Sequence, residues 1–276
     1  MSTSARILAV LTLVLAGVAT AHDDWWSRTD DVGRNPVKGT TNEQYDFSAT
    51  GRIDVHEIGG SVEVMTGKDS LVGFTYERRA ATQRDYDCEK LRFEHSKDEL
   101  RIWTEHTRGR DCQVIRADDK LIVTVPRGAS VTVREIGDKV TVTGVAGLVR
   151  LADIGDDVVI NDAQQVDARD IGDTVKLHVA KLGPAGIRVS DIGDTVELNL
   201  PENVDARLRI ESVGDEVRAP GLRLTNEDDD YDGVLGKGGP LISIESVGDT
   251  VVIRGPRLPQ PERRGRNSRD NWVDAR

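Results

Sequence analysis

Residues 149–160 read VRLADIGDDVVI, and close variants of this stretch recur along the second half of the chain. Each copy has two short runs in which every second residue is apolar, with a Gly-Asp pair between them. A period of two that is rich in Val and Ile is typical of β-strands joined by a turn. The turn pairs are Gly137 and Asp138, Gly155 and Asp156, Gly172 and Asp173, Gly193 and Asp194, Gly214 and Asp215, and Gly248 and Asp249.

The spacing of the copies predicts how they pack. The turn glycines recur with a step of roughly 20 residues, which widens only before the last copy. A unit of this size with two short strands cannot bury its apolar side alone, so neighbouring units have to stack. We therefore predict an all-β fold, a right-handed parallel β-solenoid with coils of about 17–21 residues. An antiparallel sandwich, whose strands recur every ~8–12 residues, is the alternative.

The chain divides into four predicted segments. Residues 1–21 are a signal peptide, 22–48 a flexible polar lead-in, 49–255 the β-solenoid domain and 256–276 a disordered basic tail. Within the domain, 49–126 form irregular opening strands and 127–255 form the regular coils. The wider step before the last copy indicates an insertion between Asp215 and Gly248.

The start of the chain has the composition of an export signal. Arg6 precedes an apolar run from Ile7 to Ala19, and small residues follow at Ala19-Thr20-Ala21. This run is shorter than the roughly 20 residues that a membrane-spanning helix needs, so cleavage is favoured over an uncleaved anchor. We expect a Sec-type signal, a mature chain without a transmembrane anchor, and a periplasmic or secreted location.

Charge and motif content exclude several functions. The chain has 37 Lys and Arg against 48 Asp and Glu, for a net charge of −11, which disfavours binding to a phosphate backbone. It lacks a Gly-x-Ser-x-Gly elbow, a His-Glu-x-x-His motif and a phosphate-binding glycine loop. We expect no nucleic-acid partner, no catalytic residues, no cofactor and no enzymatic activity.

Cys88 and Cys112 are the only cysteines in the sequence. An exported protein meets an oxidising environment, so the two are expected to form a disulfide. The closed loop of about 24 residues would stabilise the fold by roughly 3 kcal/mol.

The repeated turns carry the first hypothesis about chemistry. Glycine allows a positive φ, and aspartate hydrogen-bonds backbone N–H groups, so each pair has a structural reading as turn chemistry. Stacking would also place the six turn aspartates in one column. Like charges about 4.8 Å apart repel by roughly 0.9 kcal/mol in water, a repulsion that cations would relieve. Weak Ca²⁺ binding along this edge is therefore an open alternative.

A second calcium hypothesis concerns the inserted segment. Asp228, Asp230 and Asp232, followed by Gly233, match the first half of a calcium-binding loop. The twelfth position of that loop is Gly239, where a bidentate Glu is needed. The structural reading is a solvated acidic loop.

Three further stretches resemble a known bacterial family. Residues 125–133 (VPRGASVTV), 200–206 (LPENVDA) and 239–244 (GPLISI), together with the Gly-Asp turns, are similar to the "putative adhesin" β-strand-repeat family. The resemblance covers about 50–255 and is strongest over 121–254. It implies a parallel β-solenoid and an envelope location. The family often has Ser before Gly-Asp, whereas this chain has Ile or Val.

The sequence thus predicts a non-catalytic exported scaffold or an adhesin-like binding module of the bacterial cell envelope. Its expected partner is an envelope or surface ligand, either protein or polysaccharide. The alternative is a calcium-dependent or polysaccharide-acting envelope protein that uses the stacked turn aspartates.

Overall fold

The computed structural model describes residues 32–33, 35–107, 109, 112, 115–227 and 230–255. The predicted signal peptide and basic tail lie outside these residues. One short helix, α1, spans Gln83–Asp87. The strands are β1 (Val37–Asp46), β2 (Arg52–Ile58), β3 (Ser61–Thr66), β4 (Leu71–Ala80), β5 (Glu89–His95), β6 (Glu99–His106), β7 (Ala117–Val125), β8 (Ser130–Ile136), β9 (Val140–Thr143), β10 (Leu148–Ile154), β11 (Val158–Asn161), β12 (Gln165–Ile171), β13 (Val175–His178), β14 (Ile187–Ile192), β15 (Val196–Asn199), β16 (Ala206–Val213), β17 (Glu216–Arg218), β18 (Leu224–Glu227), β19 (Asp230–Leu235), β20 (Leu241–Val247) and β21 (Thr250–Arg254).

These strands form two large sheets with the apolar core between them. The first sheet has ten strands in the order β1-β4-β7-β3-β9-β11-β13-β15-β21-β17. The second has eleven, in the order β18-β19-β16-β20-β14-β12-β10-β8-β2-β6-β5. The all-β prediction is therefore confirmed.

The predicted right-handed parallel β-solenoid is wrong, because the sheets are mixed and not closed. Antiparallel pairs occur at the ends of both sheets: β1 with β4, β4 with β7, β5 with β6, β16 with β19, and β18 with β19. The order of stacking also departs from the order of the chain. Strand β20 pairs with β14 and β16 and so lies between them, and β21 likewise lies between β15 and β17.

The middle of each sheet is parallel, and equivalent residues of the repeats pair there. In the second sheet Ile154 lies opposite Ile136 on one side and Ile171 on the other. In the first sheet Val158 lies opposite Val140 and Val175. These side chains are buried, and each contributes roughly 1.5–3 kcal/mol. A shift of one residue would move them to the solvent side, so the hydrophobic pattern sets the register.

Two parts of the fold come from segments without the repeat. Strand β1 lies within 22–48, the stretch that the sequence assigns to a flexible lead-in, and it pairs along its whole length with β4. The insertion before Gly248 contains the antiparallel hairpin of β18 and β19. Both lie at or near a sheet edge, where a strand does not have to pair with a repeat on each side.

The predicted disulfide between Cys88 and Cys112 is present, with Cα atoms 5.5 Å apart. It lies beside α1, whose N-cap Thr82 accepts a hydrogen bond from the Asp85 backbone N–H. At the same end, Tyr45 of β1 stacks on His95 of β5, with ring centroids 3.6 Å apart. The stacked rings join the edge strands of the two sheets.

A buried polar network links the sheets next to the disulfide. Arg78 of β4 donates from Nη1 to Asp119 Oδ2 at 2.7 Å and to Glu89 Oε2 at 2.8 Å. Glu89, on the second sheet, accepts from Thr104 Oγ1 at 2.6 Å. Arg78 and Asp119 are almost fully buried.

Of the helices in the described part of the chain, none is long and apolar enough to span a membrane.

Candidate binding surface

The turn glycines stack in one column that runs across the carboxyl ends of the parallel strands of the second sheet. The column runs Gly59, Gly137, Gly155, Gly172, Gly193, Gly248 and Gly214. A Cβ atom added to Gly172 would lie 2.4 Å from the carbonyl oxygen of Gly155, and one added to Gly193 would lie 2.2 Å from that of Gly172. We call each repeat, with one strand in each sheet, a rung of the stack. The column requires glycine because the backbones of neighbouring rungs approach too closely for any side chain.

The positive φ expected at these glycines occurs two residues earlier. Asp153, Asp170 and Asp191 have φ between 54° and 59°, and so do the equivalent glutamates and serines. The strand pairing skips this residue: Ala152 pairs with Arg169, and the next pair is Ile154 with Ile171. Asparagine and aspartate adopt this left-handed conformation more readily than most residues. The acidic residue before Ile therefore adopts the positive φ that the sequence analysis expected at glycine.

This local geometry produces a shallow groove of about 590 Å³. Its floor is formed by the turn glycines, and the side chains of Ile136, Ile154, Ile171 and Ile192 are buried beneath them, each 2% exposed. Its rim carries Asp153, Asp170, Asp191 and Ser246, all exposed. The arrangement is a mostly apolar trough with a line of carboxylates along one side, and we call it the acid-rimmed groove.

The turn aspartates form a second line of carboxylates beside the glycine column. Their backbones are hydrogen-bonded from rung to rung, with Asp249 N–H donating to Asp194 O at 3.0 Å and Asp215 N–H to Asp249 O at 2.9 Å. The pKa of Asp173 is raised by desolvation and by the neighbouring carboxylates of Asp157, Asp194 and Asp156.

Three carboxylates come closest to a cation site. Oxygens of Asp156, Asp157 and Asp173 all lie within 4.8 Å of one another. Asp157 was not among the predicted residues, because an aspartate follows the Gly-Asp pair in this copy alone. Cation binding at this cluster remains a prediction.

The predicted calcium loop at 228–232 is only partly described. Asp228 lies outside the described residues. Asp230 and Asp232 are exposed on strand β19, where Asp232 lies opposite Arg209 on one side and Thr225 on the other. Calcium binding by this segment also remains a prediction.

A further group of side chains escaped the sequence interpretation. Asp54 and His56 on β2 lie next to Arg101 and Trp103 on β6, on the outward side of the second sheet. The alternation within each strand indicates that each pair shares a side. The pairing of 52–56 with 99–103 is a long-range contact, however, and no pattern in the sequence reveals it.

No protein-family model matches the chain, and no curated protein matches it significantly. Among solved structures it is similar to a "putative cell adhesion protein" from Clostridium sporogenes, at 9% identity and a TM-score of 0.45, over 80% of this chain and 100% of that one. A "putative adhesin" from Bacteroides fragilis has 14% identity and a TM-score of 0.40, over 81% and 100%. A "putative lipid binding protein" from Parabacteroides distasonis has 9% identity and a TM-score of 0.24, over 78% and 96%. The first two names agree with the family that the repeats resemble.

Proposed function

We propose that this protein is an exported, non-catalytic binding module that holds an extended surface ligand along the acid-rimmed groove. The observation that carries the proposal is the repetition of the groove. Each rung adds one glycine and, in most rungs, one rim carboxylate in the same register. A ligand that extends along the column would meet the same chemistry at each step.

The disulfide supports export. Disulfides form and persist in oxidising compartments and are rare in reducing ones. Cys88 and Cys112 are joined in the structure, and the stretch 1–21 has the composition of a secretory signal. A periplasmic or surface location, and a cell-envelope ligand, follow as parts of the same proposal.

Binding to isolated cell envelopes tests the proposal. We would compare the wild type with the triple variant Asp153→Asn, Asp170→Asn, Asp191→Asn, which removes three rim charges and changes side-chain volume little. Three exposed carboxylates at roughly 0.5 kcal/mol each correspond to about a tenfold loss of affinity. The measurement is sedimentation of labelled protein with envelopes, with and without a calcium chelator.

The control is a second triple variant, Asp46→Asn, Asp69→Asn, Glu202→Gln. These residues are also exposed, lie away from the groove and change the net charge by the same amount. A loss of binding in both variants would assign the effect to net charge. Unchanged binding of the rim variant would contradict the proposed role of the groove.

A further inference from the structure

The two sheets end unevenly beside β17. Strands β16 and β17 belong to one repeat, and within the described residues no strand lies beyond β17 in the first sheet. The second sheet continues past β16 with β19 and β18, so it overhangs the first sheet by two strands. Because neighbouring strands lie about 4.8 Å apart, the overhang is about 10 Å wide. We call the core-facing side of β18 and β19, together with the free edge of β17, the open shelf.

Apolar side chains of the open shelf are only partly buried. Val217 of β17 lies opposite Val251 of β21, yet Val251 is 0% exposed and Val217 is not fully buried. Tyr231 lies opposite the buried Ile210 and so points inward from β19, and Leu224 points inward from β18. Both are also partly exposed. A segment that covered these side chains would gain free energy from the apolar area that it buries.

The chain leaves the described fold beside this shelf. Strand β21 is the neighbour of β17, and Gly255 follows it directly. A Cβ atom added to Gly255 would lie 3.3 Å from Leu222 Cδ2, in the turn that joins β17 to β18. An extended chain covers roughly 3.3 Å per residue, so about six residues would run back along the shelf. The segment that starts at Pro256 is therefore within reach of the whole shelf.

The sequence of that segment suits an edge position. Leu258 comes three residues after Gly255, and a second apolar pair follows at Trp272 and Val273. Pro259 and Pro261 favour extended backbone. Because they are two residues apart, their missing N–H groups would lie on the same side of an extended chain. Proline is tolerated in an edge strand when that side faces solvent.

The charges of the segment and of the shelf are opposite. Glu216 begins β17, Glu227 ends β18 and Asp230 begins β19, and all three are exposed. They lie at the end of the shelf away from Leu222. Residues 256–276 contain six Arg against three Asp and Glu, and four of these arginines lie within 263–269. A second copy of the protein would instead bring the same carboxylates against one another, which disfavours it as the occupant.

We propose that residues 256–276 fold back over the open shelf and extend the first sheet at the free edge of β17. Leu258 then packs near Leu222, and the arginines of 263–269 face the carboxylates at the other end. An unpaired strand edge is a template for pairing with another chain, so the docked segment shields β17 from such contacts. This role replaces the disordered tail that the composition predicts, and it is independent of the acid-rimmed groove.

Hydrogen–deuterium exchange measured by mass spectrometry on the whole protein tests the proposal. The reference is a synthetic peptide with the sequence of 256–276. A segment that is docked nine-tenths of the time exchanges about tenfold more slowly than the free peptide, and we expect this protection. Because docking within one chain does not depend on protein concentration, the exchange rate should be the same in dilute and in concentrated samples.

Two variants and one control identify the contact. Leu224→Ser removes an apolar contact of the shelf and should return the segment to the exchange rate of the free peptide. The matched control is Val234→Ser on β19, which points outward and is 66% exposed, and it should leave the protection unchanged. Exchange in β18 and β19 shows whether the hairpin stays folded. If it does not, a variant that changes only the segment decides: Arg263→Gln, Arg264→Gln, Arg266→Gln, Arg269→Gln.

The arginine variant should lose most of the protection, because it removes the charges that face the acidic end of the shelf. Three results would overturn the inference. The segment of the wild type exchanges as fast as the free peptide, or its protection disappears on dilution, which would assign the shelf to a second copy. The third is protection that survives in the arginine variant and in a folded Leu224→Ser variant.

Discussion

The two ends of the sheet stack are closed in different ways. At one end, stacked rings join the edge strands β1 and β5, and the disulfide and the Arg78 network lie beside them. At the other, β17 and β18 are short, and Val213, Leu222 and Leu224 are only partly buried against the core. The middle rungs bury one another, so repeats need no such devices, but each end has to be covered by a segment of different sequence. The antiparallel strands occur at these two ends.

The largest expected effect of a single substitution is at the first end. At pH 8, where Asp119 is mostly ionised, Arg78→Met would leave this buried carboxylate and the partly buried Glu89 without their cation, a change that typically costs about 3–5 kcal/mol. Denaturant unfolding monitored by circular dichroism measures this. The matched control is Arg254→Met, which removes an exposed pair with Glu197 and should cost at most about 1 kcal/mol. Equal effects of the two variants would show that the network does not hold the end together.

Shortening a side chain should lower the free energy of unfolding less at the second end than in the middle of the stack. Leu222 is partly buried, so Leu222→Ala should cost about 1–2 kcal/mol, below the range for a fully buried leucine. Leu177→Ala, at 1% exposure in a middle rung, should cost about 2–5 kcal/mol. The same unfolding measurement compares them. A larger loss for Leu222 would mean that the second end is as tightly packed as the middle.

The first end should also make stability depend on pH. Burial raises the pKa of Asp119 to about 7, with the Arg78 guanidinium opposing the shift and Glu89 and Asp118 adding to it. The folded state therefore binds this proton more tightly than the unfolded state, whose Asp pKa is about 3.9. The resulting stabilisation is fully present below pH ~4 and is lost as the pH rises through about 7.

We expect the free energy of unfolding to fall between pH 5.5 and pH 8 for the wild type. Asp119→Asn cannot titrate and should give a flatter profile over the same window. Denaturant unfolding at four pH values measures both. A wild-type profile that is flat, or that rises with pH, would contradict the raised pKa.

Strand formation in the middle rungs was predictable because alternating Val and Ile set both period and register. Three other features were not. Strand β1 carries mostly polar residues, since only one of its sides packs on the protein, so no apolar period marks it. The insertion of β20 between β14 and β16 depends on which sheet edge the chain meets, a long-range choice. The acid-rimmed groove depends on a positive φ at Asp153 and its equivalents, which turn rules assign to glycine.

The smallest expected effect is the stabilisation by bound calcium. It concerns the middle of the stack and not either end. Asp156, Asp157 and Asp173 bring carboxylate oxygens within 4.8 Å in the middle rungs, where a divalent cation would relieve their repulsion. Because these side chains remain partly exposed, we expect weak binding. A ligand present at ten times its Kd stabilises by about 1.4 kcal/mol, which amounts to roughly 3–6 °C in melting temperature for a domain of this size.

Thermal melting with and without millimolar Ca²⁺ measures this shift, and Mg²⁺ at the same concentration corrects for ionic strength. Asp157→Asn should remove the shift if this cluster is the site, whereas Asp230→Asn with Asp232→Asn should remove it if the inserted hairpin is. A shift that survives in both variants would assign calcium to another part of the column. No shift at all would leave the turn aspartates with their backbone role alone, and the difference between the middle and the ends would then be one of packing only.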